Sequence, residues 1–392
     1  MPEKAKVPAI RFKGFTDAWE QRKAKELCSI TTGKSNTQDQ VDDGLYPFFI
    51  RSEVPVKSNR YLYDEEAVIT IGDGNIGRVF HYVNGKFDLH QRCYKMVDFK
   101  GLTAKYFYYF FSTKFYKRAM AMTAKATVDS VRLEMISEMD IMYPTDLSEQ
   151  EEITELLTNL DNLITLHQRK LLKLKNVKKA MLEKMFPKNG SHVPEIRFAG
   201  FTDAWEQRKL KEIADKVTEK NAKLQFTETF TNSAEFGIIS QRDYFDHDIS
   251  NEDNLGSYYV VRNEDFIYNP RISTFAPVGP INRNKLGRNG VMSPLYTVFR
   301  THDINNTFLE QYFRSIYWHS FMKLNGDSGA RSDRFSIKDS VLIEMPIPYP
   351  GLKEQLKIGE YLTKLDNLIT LHQRKYEKLQ NLKKACLEKM FV

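Results

Sequence analysis

The sequence predicts an α+β protein built from two globular domains and two long helices that pair with each other. Two segments each occur twice, in the same order: Val7–Lys23 returns as Val193–Lys209, and Leu157–Phe186 returns as Leu362–Phe391. The later segment of each half carries the apolar periodicity of a long helix. Between the repeated segments, short β-like runs alternate with turns and one aromatic helix. A chain of 392 residues suits two to three domains, and the duplication makes two halves the natural division.

We call the repeated segments the frame and the residues between them the inserts. The two frames are nearly identical, whereas the inserts, 24–150 and 210–350, are only faintly alike. This layout suits a protein that reads two different things at a fixed separation. The predicted parts are a first globular domain at 1–148, a first long helix at 149–187, a linker at 188–193, a second globular domain at 194–350 and a second long helix at 351–392.

Composition narrows the class of protein. The three cysteines, Cys28, Cys93 and Cys386, are scattered and form no metal-binding spacing, which predicts a reducing cytoplasm. No signal peptide opens the sequence, and no apolar run approaches the roughly 20 residues that a membrane span needs. The net charge of +7 is compatible with a polyanionic partner without being diagnostic of one.

The first insert reads as strands followed by a helix. Ala67–Ile71 and Arg78–Val83 have the composition of strands, with a glycine-rich loop between them, and Asn84-Gly85 predicts a hairpin turn. A helix is predicted at Thr103–Met122. Its aromatic residues surround the helix and flank no loop, which predicts core packing and not a stacking platform for bases.

The first long helix is predicted at Glu149–Phe186, after a strand that Pro144 ends, with Ser148 as its N-cap. Steps of three and four describe a coiled-coil seam in both copies. The seam positions are Leu157, Leu160, Ile164, His167, Leu171, Leu174, Lys178, Met181 and Met185, then Leu362, Leu365, Ile369, His372, Tyr376, Leu379, Lys383, Cys386 and Met390. A helix of this length spans on the order of 55 Å, too long to bury its stripe on a small domain, so pairing is favoured. The alternative is that each helix packs separately on its own half. The seam histidines are interpreted as packed or hydrogen-bonded and not as metal ligands.

The second insert repeats the order of the first with different loops. Its predicted elements are a strand at Asp265–Tyr268, loops at Asn269–Pro280 and Asn284–Gly290, an apolar run at Val291–Arg300, a helix at Asn306–Lys323, a loop at Gly326–Arg334 and a strand at Val341–Ile347. Loop variation on a fixed scaffold is where binding specificity usually lies.

The sequence motifs that could indicate catalysis lack the neighbouring elements or residues that they require. Gly72-x-Gly74-x-x-Gly77 matches the dinucleotide fingerprint by letter, but a β-run follows it where that site needs a helix. Asn269-Pro270-Arg271-Ile272 lacks the second proline and the aromatic residue of the amino-methyltransferase signature. With no assembled catalytic group and no metal pattern, the sequence predicts a chain that catalyses nothing alone.

The whole pattern resembles the DNA-specificity subunit of type I restriction–modification enzymes over almost the entire chain. The resemblance rests on the order of insert, long helix, insert, long helix. It rests also on the helix-entry pattern Pro144…Glu149-Gln150-x-x-Ile153…Leu160-Asp161…Ile164, which is repeated at Pro350…Glu354-Gln355-x-x-Ile358…Leu365-Asp366…Ile369. The frame segment Ile10-Arg11-Phe12…Gly14-Phe15…Trp19 and its copy, Ile196-Arg197-Phe198…Gly200-Phe201…Trp205, resemble members of the same family.

The resemblance implies two target-recognition domains held apart by an antiparallel coiled coil, each reading one half of a split site in double-stranded DNA. The duplicated frames add a pseudo-two-fold arrangement, and unlike inserts imply an asymmetric target. Two modification (methyltransferase) subunits are expected on the helices and domains, joined by restriction (endonuclease) subunits. The chain itself is expected to hold no cofactor, and the partners to use S-adenosylmethionine, ATP and Mg²⁺. The residues expected at the pairing and docking surface are Leu160, Ile164, His167, Leu171, Leu174, Leu365, Ile369, His372, Tyr376 and Leu379.

Candidate DNA readers are loop residues with hydrogen-bonding ends. In the first insert they are Arg51, Ser52, Asn75, Arg78, Arg92 and Lys125. In the second they are Gln241, Arg242, Arg271, Ser273, Arg331 and Arg334. For each, a phosphate contact or a solvated position is the alternative. Two rival functions stay open: a coiled-coil adaptor that binds proteins only, and a fused enzyme subunit with an unrecognised active site.

Overall fold

The structure is a computed structural model that describes residues 7–123, 130–188, 190–245, 252–327 and 333–391. Contacts divide the chain into two compact units. Unit 1 contains Met1–Arg169 and Gln373–Val392, and unit 2 contains Lys170–His372. The boundaries expected from the sequence separate the helices from the globular domains, whereas these units each include part of both long helices.

Unit 1 holds eight strands and the first long helix among its described residues. The strands are β1 (Glu20–Lys23), β2 (Ser29–Thr32), β3 (Tyr46–Phe49), β4 (Val56–Ser58), β5 (Tyr63–Ile71), β6 (Phe80–Leu89), β7 (Cys93–Val97) and β8 (Asp140–Tyr143). The helices are α1 (Ala24–Leu27), α2 (Ala104–Thr123), α3 (Leu133–Ser137) and α4 (Leu147–Lys184), of which α4 continues into unit 2.

The main sheet of unit 1 has six strands in the order β2-β7-β5-β6-β3-β4, antiparallel except for the β3–β6 pair. Helix α2 packs on this sheet through the aromatic residues predicted to be core. Those that are buried are Tyr106, Phe107, Tyr109, Phe110, Phe111 and Phe115. Most aromatic residues of α2 therefore belong to the core, as predicted, whereas Tyr116 is exposed and contacts Arg78 of a loop.

The hairpin turn predicted at Asn84-Gly85 is wrong. Strand β6 runs through both residues, and Gly85 lies opposite Glu65 of β5. Strand β5 begins at Tyr63, earlier than predicted, so the hydrogen-bonded ladder extends past this point. The backbone of Gly85 has φ of +121°, a conformation that side chains disfavour, which explains a glycine within a strand.

Unit 2 contains the remaining elements. Its strands are β9 (Glu206–Lys209), β10 (Ala214–Lys216), β11 (Phe230–Ser233), β12 (Gly237–Ser240), β13 (Tyr259–Val261), β14 (Phe266–Tyr268), β15 (Ile281–Arg283), β16 (Gly290–Met292), β17 (Thr297–Thr301) and β18 (Pro346–Tyr349). Its helices are α5 (Gln241–Phe245), α6 (Asn306–Phe313), α7 (Trp318–Asn325), α8 (Asp339–Leu342) and α9 (Leu352–Met390), of which α9 ends in unit 1. The largest sheet, β10-β17-β14-β15, is antiparallel.

Three segments of unit 2 that the sequence predicts to be continuous are interrupted in the structure. The helix at Asn306–Lys323 is two helices, α6 and α7, and at the break the Trp318 indole N–H donates to the Phe313 carbonyl at 3.0 Å. A turn with a Tyr296 N–H bond to Ser293 O, 3.1 Å, separates β16 from β17. The strand predicted at Val341–Ile347 begins only at Pro346, as β18, because the Lys338 carbonyl accepts from both Val341 and Leu342 and begins the short helix α8.

Helix α4 begins two residues earlier than predicted, and Ser148 is not its N-cap. The Ser148 N–H donates to Asp146 Oδ1 at 2.8 Å, so Asp146 caps the helix. The helix ends at Lys184 and not Phe186, and α9 ends at Met390.

The two long helices pair antiparallel, as the resemblance implies. Every predicted seam position is buried or half-buried. Within unit 1, Lys383 near the end of α9 bonds Asp161 near the start of α4. Within unit 2, Lys178 near the end of α4 bonds Asp366 near the start of α9. Separate packing of each helix on its own half is therefore wrong.

Among the described residues, no helix combines the length and the apolar character that crossing a membrane requires.

Candidate nucleic-acid interface

The frame fixes the start of each long helix through a buried ion pair. In unit 1, Arg11 donates to both carboxylate oxygens of Glu149 at 2.6 and 2.8 Å. In unit 2, Arg197 donates to both oxygens of Glu354 at 2.7 and 2.8 Å. The two glutamates are 0% and 1% exposed. Sequence analysis missed these pairs, although both arginines lie in a repeated segment and both glutamates lie in the repeated helix-entry pattern.

The next residue of each long helix ties the insert to the start of that helix. The Gln150 amide accepts from the backbone N–H of Thr103, just before α2, and donates to Pro144 O, both at 2.8 Å. The Gln355 amide accepts from Asn305 N–H, just before α6, and donates to Pro350 O, again both at 2.8 Å. Both inserts are thus held by equivalent contacts.

In unit 1 the glycine-rich segment is the loop of a hairpin between β5 and β6, as predicted, and a strand follows it where a dinucleotide site needs a helix. Its first residue, Gly72, donates its N–H to Arg92 O at 2.7 Å. A Cβ on Gly72 would meet that same oxygen at 2.6 Å, so the two loops approach this closely only with glycine.

Four of the predicted readers of unit 1 lie on or beside this loop. Arg51 and Arg92 both bind Asp73, with closest distances of 3.3 and 2.7 Å. Arg78 lies over the Tyr116 ring, 4.4 Å from its centroid, and donates to its hydroxyl at 2.7 Å. Asn75 is exposed at the loop tip.

The Asp73 carboxyl experiences opposing influences. Burial raises its pKa, but the hydrogen bond from Arg92 and the positive charge of Arg51 outweigh burial and hold the pKa below its usual value. The carboxyl is therefore charged at neutral pH. Sequence analysis missed Asp73, because candidates were chosen among donors and neutral polar side chains and not among acids.

Ser52 is a weaker candidate than its neighbours. Its hydroxyl donates to Val54 O at 2.6 Å, and its carbonyl lies 3.3 Å from the His81 ring. The side chain thus stabilises its own loop. Lys125 lies outside the described residues.

In unit 2 the loop between β14 and β15 carries two of the predicted readers, Arg271 and Ser273. Arg271 pairs with Arg334 in an isolated antiparallel bridge and lies 3.7 Å from Asp333, with 68% of its side chain exposed. The Ser273 hydroxyl accepts from Ala276 N–H at 3.2 Å.

A groove of about 460 Å³ runs along this loop. Gln241, Arg271 and Ser273 line it together with exposed Phe275. The Gln241 Oε1 atom is buried and has no hydrogen-bond partner among the described residues. Arg242 is exposed on the same short helix, α5, and Arg331 lies outside the described residues.

The loops of the two units correspond residue by residue at one point. Val131 N–H donates to Gly72 O in unit 1, and Phe335 N–H donates to Pro270 O in unit 2, both at 2.7 Å. The following residues also make equivalent bridges, Asp73 with Ser130 and Arg271 with Arg334. Equivalent positions therefore carry opposite charges, Asp73 and Arg271.

No group of three or more His, Cys, Asp or Glu side chains in the described ranges could hold a metal ion. The seam histidines are half-buried, His167, and buried, His372.

Comparison with known proteins gives the family. The family model of the type I restriction modification DNA specificity domain matches twice, at residues 16–176 and 202–381. The MjaVIII type I restriction enzyme specificity subunit of Methanocaldococcus jannaschii is 24% identical over 94% of this chain and 91% of its own length. The EcoDI specificity subunit of Escherichia coli is 26% identical over 50% of this chain and 45% of its own.

A solved structure, the S subunit of a type I restriction–modification system from M. genitalium, shares the fold. Its TM-score is 0.64 at 13% identity, over 98% of this chain and 99% of that one. With two matched domains that together cover most of the sequence, the chain belongs to the type I restriction modification DNA specificity domain family and is a non-catalytic specificity subunit of a type I restriction–modification system.

Proposed function

We propose that each unit reads one half of a split, asymmetric DNA target through the loops that its insert carries. The observation that carries the proposal is the equivalence of Asp73 and Arg271. Two loops that are held alike but carry opposite charges cannot present the same hydrogen-bonding pattern to DNA. Two unlike half-sites follow.

The chemistry of the loop residues suits base edges in the major groove, where all four base pairs are distinguishable. Arginine pairs with the two acceptors of guanine, and glutamine or asparagine pairs with adenine. The proposed readers of unit 1 are Arg51, Asn75, Arg78 and Arg92. The proposed readers of unit 2 are Gln241, Arg271, Ser273 and Arg334. Other loop residues contact phosphates and set the register.

The frames are the proposed docking sites for two modification subunits, one at each frame, with restriction subunits joining the assembly. A surface that meets two identical partners has to be presented twice in equivalent form. The buried Arg11–Glu149 and Arg197–Glu354 pairs support this, because they hold the starts of the two long helices in the same way. In this assembly the partners use S-adenosylmethionine, ATP and Mg²⁺, and this chain holds no cofactor. The complex works in the cytoplasm.

Exchange of one insert tests the proposal. Residues 24–150 are replaced by the corresponding segment of a relative with a different target, and the methylated sites of the host genome are then sequenced. One half-site should change and the other should stay as it was. The proposal fails if both half-sites change together.

Two further measurements separate the rival functions. An adaptor that binds proteins only would leave the purified complex without sequence-specific DNA binding. A fused enzyme would methylate DNA with S-adenosylmethionine in the absence of modification subunits. We expect specific binding by the complex and no methylation by this chain alone.

A further inference from the structure

Three loops of unit 1 meet at the end of its main sheet. They are the segment after β3 that carries Arg51, the loop between β5 and β6 that begins at Gly72, and the turn before β7 that carries Arg92. The backbone bond from Gly72 to Arg92 joins the last two directly. Asp73 joins all three, because its carboxylate binds both arginines.

Asp73 holds the two arginines and leaves other N–H donors of both guanidinium groups exposed. The contacts with Asp73 use Nη1 of each guanidinium. The side chains of Arg51 and Arg92 remain 48% and 64% exposed, whereas that of Asp73 is only 20% exposed. The carboxylate therefore lies behind the guanidinium groups and orients them without covering them.

We propose that Asp73 is a positioning residue for base recognition in the first half-site. By holding Arg51 and Arg92 in fixed orientations, it directs their remaining N–H groups to an acceptor-rich base edge, for which guanine is the chemical match. The inference rests on the proposed function of unit 1 as a DNA reader.

The negative charge of Asp73 distinguishes a positioning role from simple attraction of DNA. A carboxylate beside a DNA-binding surface repels phosphates, so Asp73 weakens binding that does not depend on sequence. Asp73 favours DNA binding only where the orientation of the arginines matters, which is in the discrimination between bases. Replacing Asp73 by asparagine should therefore move the two kinds of binding in opposite directions.

The test uses the complex of this chain with its modification subunits. Binding to target DNA, to single-base variants of the first half-site and to unrelated DNA is measured over a range of salt concentrations. With Asp73→Asn, we expect preference for the correct base at one or two positions to fall about fivefold or more. Binding to unrelated DNA should strengthen, and the salt slope should steepen by up to about 0.9. Discrimination in the second half-site should stay unchanged.

Matched variants separate positioning from other roles. Glu26→Gln makes the same change of charge at an exposed residue of α1 and should leave discrimination unaltered. Asp73→Glu keeps the charge and should restore part of the discrimination. The double variant Arg51→Ala/Arg92→Ala and the triple variant that adds Asp73→Asn should discriminate equally poorly, because Asp73 acts through these two arginines.

The outcomes are distinct. If the wild-type complex binds no specific DNA, the proposed function is wrong. If Asp73→Asn binds specifically with unchanged discrimination, or loses specific and unrelated binding together, the positioning role is wrong. Should Asp73→Asn not fold, Arg51→Lys and Arg92→Lys keep the charge but lose the planar fork of donors. Both must then lose discrimination at the same positions, and retained discrimination overturns the proposal.

Discussion

The frame of unit 1 and the frame of unit 2 contain equivalent buried ion pairs, whereas the loops they carry differ in charge at an equivalent position. Arg11 holds Glu149 as Arg197 holds Glu354, with distances that agree within 0.1 Å. At the loop edge, the 2.7 Å backbone bonds of Gly72 and Pro270 are equally alike, yet the next residues are Asp73 and Arg271. The equivalence therefore extends through the backbone up to the side chains of these two residues.

The frame and the loops therefore serve different proposed functions, partner docking and target reading. A buried bidentate ion pair cannot change one partner without leaving a charge unpaired, which fixes the frame. An exposed loop residue can change with little cost in stability. The same fold can thus keep its partners while its target changes.

Loss of the helix seam should have the largest effect on assembly. Leu160 and Leu365 are 5% and 7% exposed in units 1 and 2, and aspartate at either position buries a charge at a cost of several kcal/mol. Each single variant should lose one modification subunit in analytical ultracentrifugation, and the double variant should lose both. Leu172→Asp, at a position 62% exposed, is the control and should assemble normally. Normal assembly of the double variant would show that partners dock elsewhere.

Removal of the frame arginines tests whether the units are equally dependent on their ion pairs. The side chains of Arg11 and Arg197 are 11% and 13% exposed, and methionine at either position leaves a glutamate buried and unpaired. The expected loss is about 3–5 kcal/mol in the free energy of unfolding for each variant. Urea unfolding measures it, with Arg22→Met as the control, because the Arg22–Glu20 pair is exposed and contributes less than about 1 kcal/mol. Clearly unequal losses would argue against equivalent frames.

Loop arginines should affect one half-site each and leave assembly intact. Arg78→Ala removes the group stacked on Tyr116, and Arg271→Ala removes an exposed donor of unit 2. If either arginine contacts guanine through two donors, binding should weaken by about 1–3 kcal/mol at one base position. Arg208, whose guanidinium lies 3.8 Å from the Tyr349 ring centre in the frame, is a matched control, and its replacement by alanine should leave base preference unchanged. Titration with single-mismatch DNA distinguishes these outcomes, and failure of the Arg78 or Arg271 variant to assemble would contradict the division of roles.

The repeated segments made the frame, the long helices and their seam predictable. Repetition showed which residues belong together, and the seam follows from spacing alone. The ends of elements were less predictable, because they depend on individual hydrogen bonds. Asp146 caps α4 although Ser148 is an equally good capping residue by type, and the break between α6 and α7 depends on contacts such as Trp318 with the Phe313 carbonyl.

The candidate site was predictable only as a set of loops. The sequence placed Arg51, Arg78 and Arg92 on different loops but gave no sign that the first and last meet at one carboxylate. That meeting depends on the close approach of Gly72 to the Arg92 backbone, a long-range contact without a local pattern. The acid between the arginines was therefore missed, while the arginines themselves were found.

The smallest expected effect concerns a frame contact that is not duplicated, the hydrogen bond from Trp19 to Glu149. The Trp19 indole N–H donates to Glu149 Oε1 at 3.3 Å, whereas the corresponding N–H of Trp205 is buried without a partner among the described residues. Replacement by phenylalanine removes part of the ring in both units, so the cost of lost packing is shared. It also removes a hydrogen bond in unit 1 but an unsatisfied donor in unit 2, and an unpaired buried donor is itself unfavourable. We therefore expect Trp19→Phe to lower the free energy of unfolding by about 1 kcal/mol more than Trp205→Phe. Urea unfolding of the two variants side by side measures the difference. Equal losses would mean that the Trp205 indole N–H has a hydrogen-bond partner in the folded protein. A larger loss for Trp205→Phe would contradict the expected order.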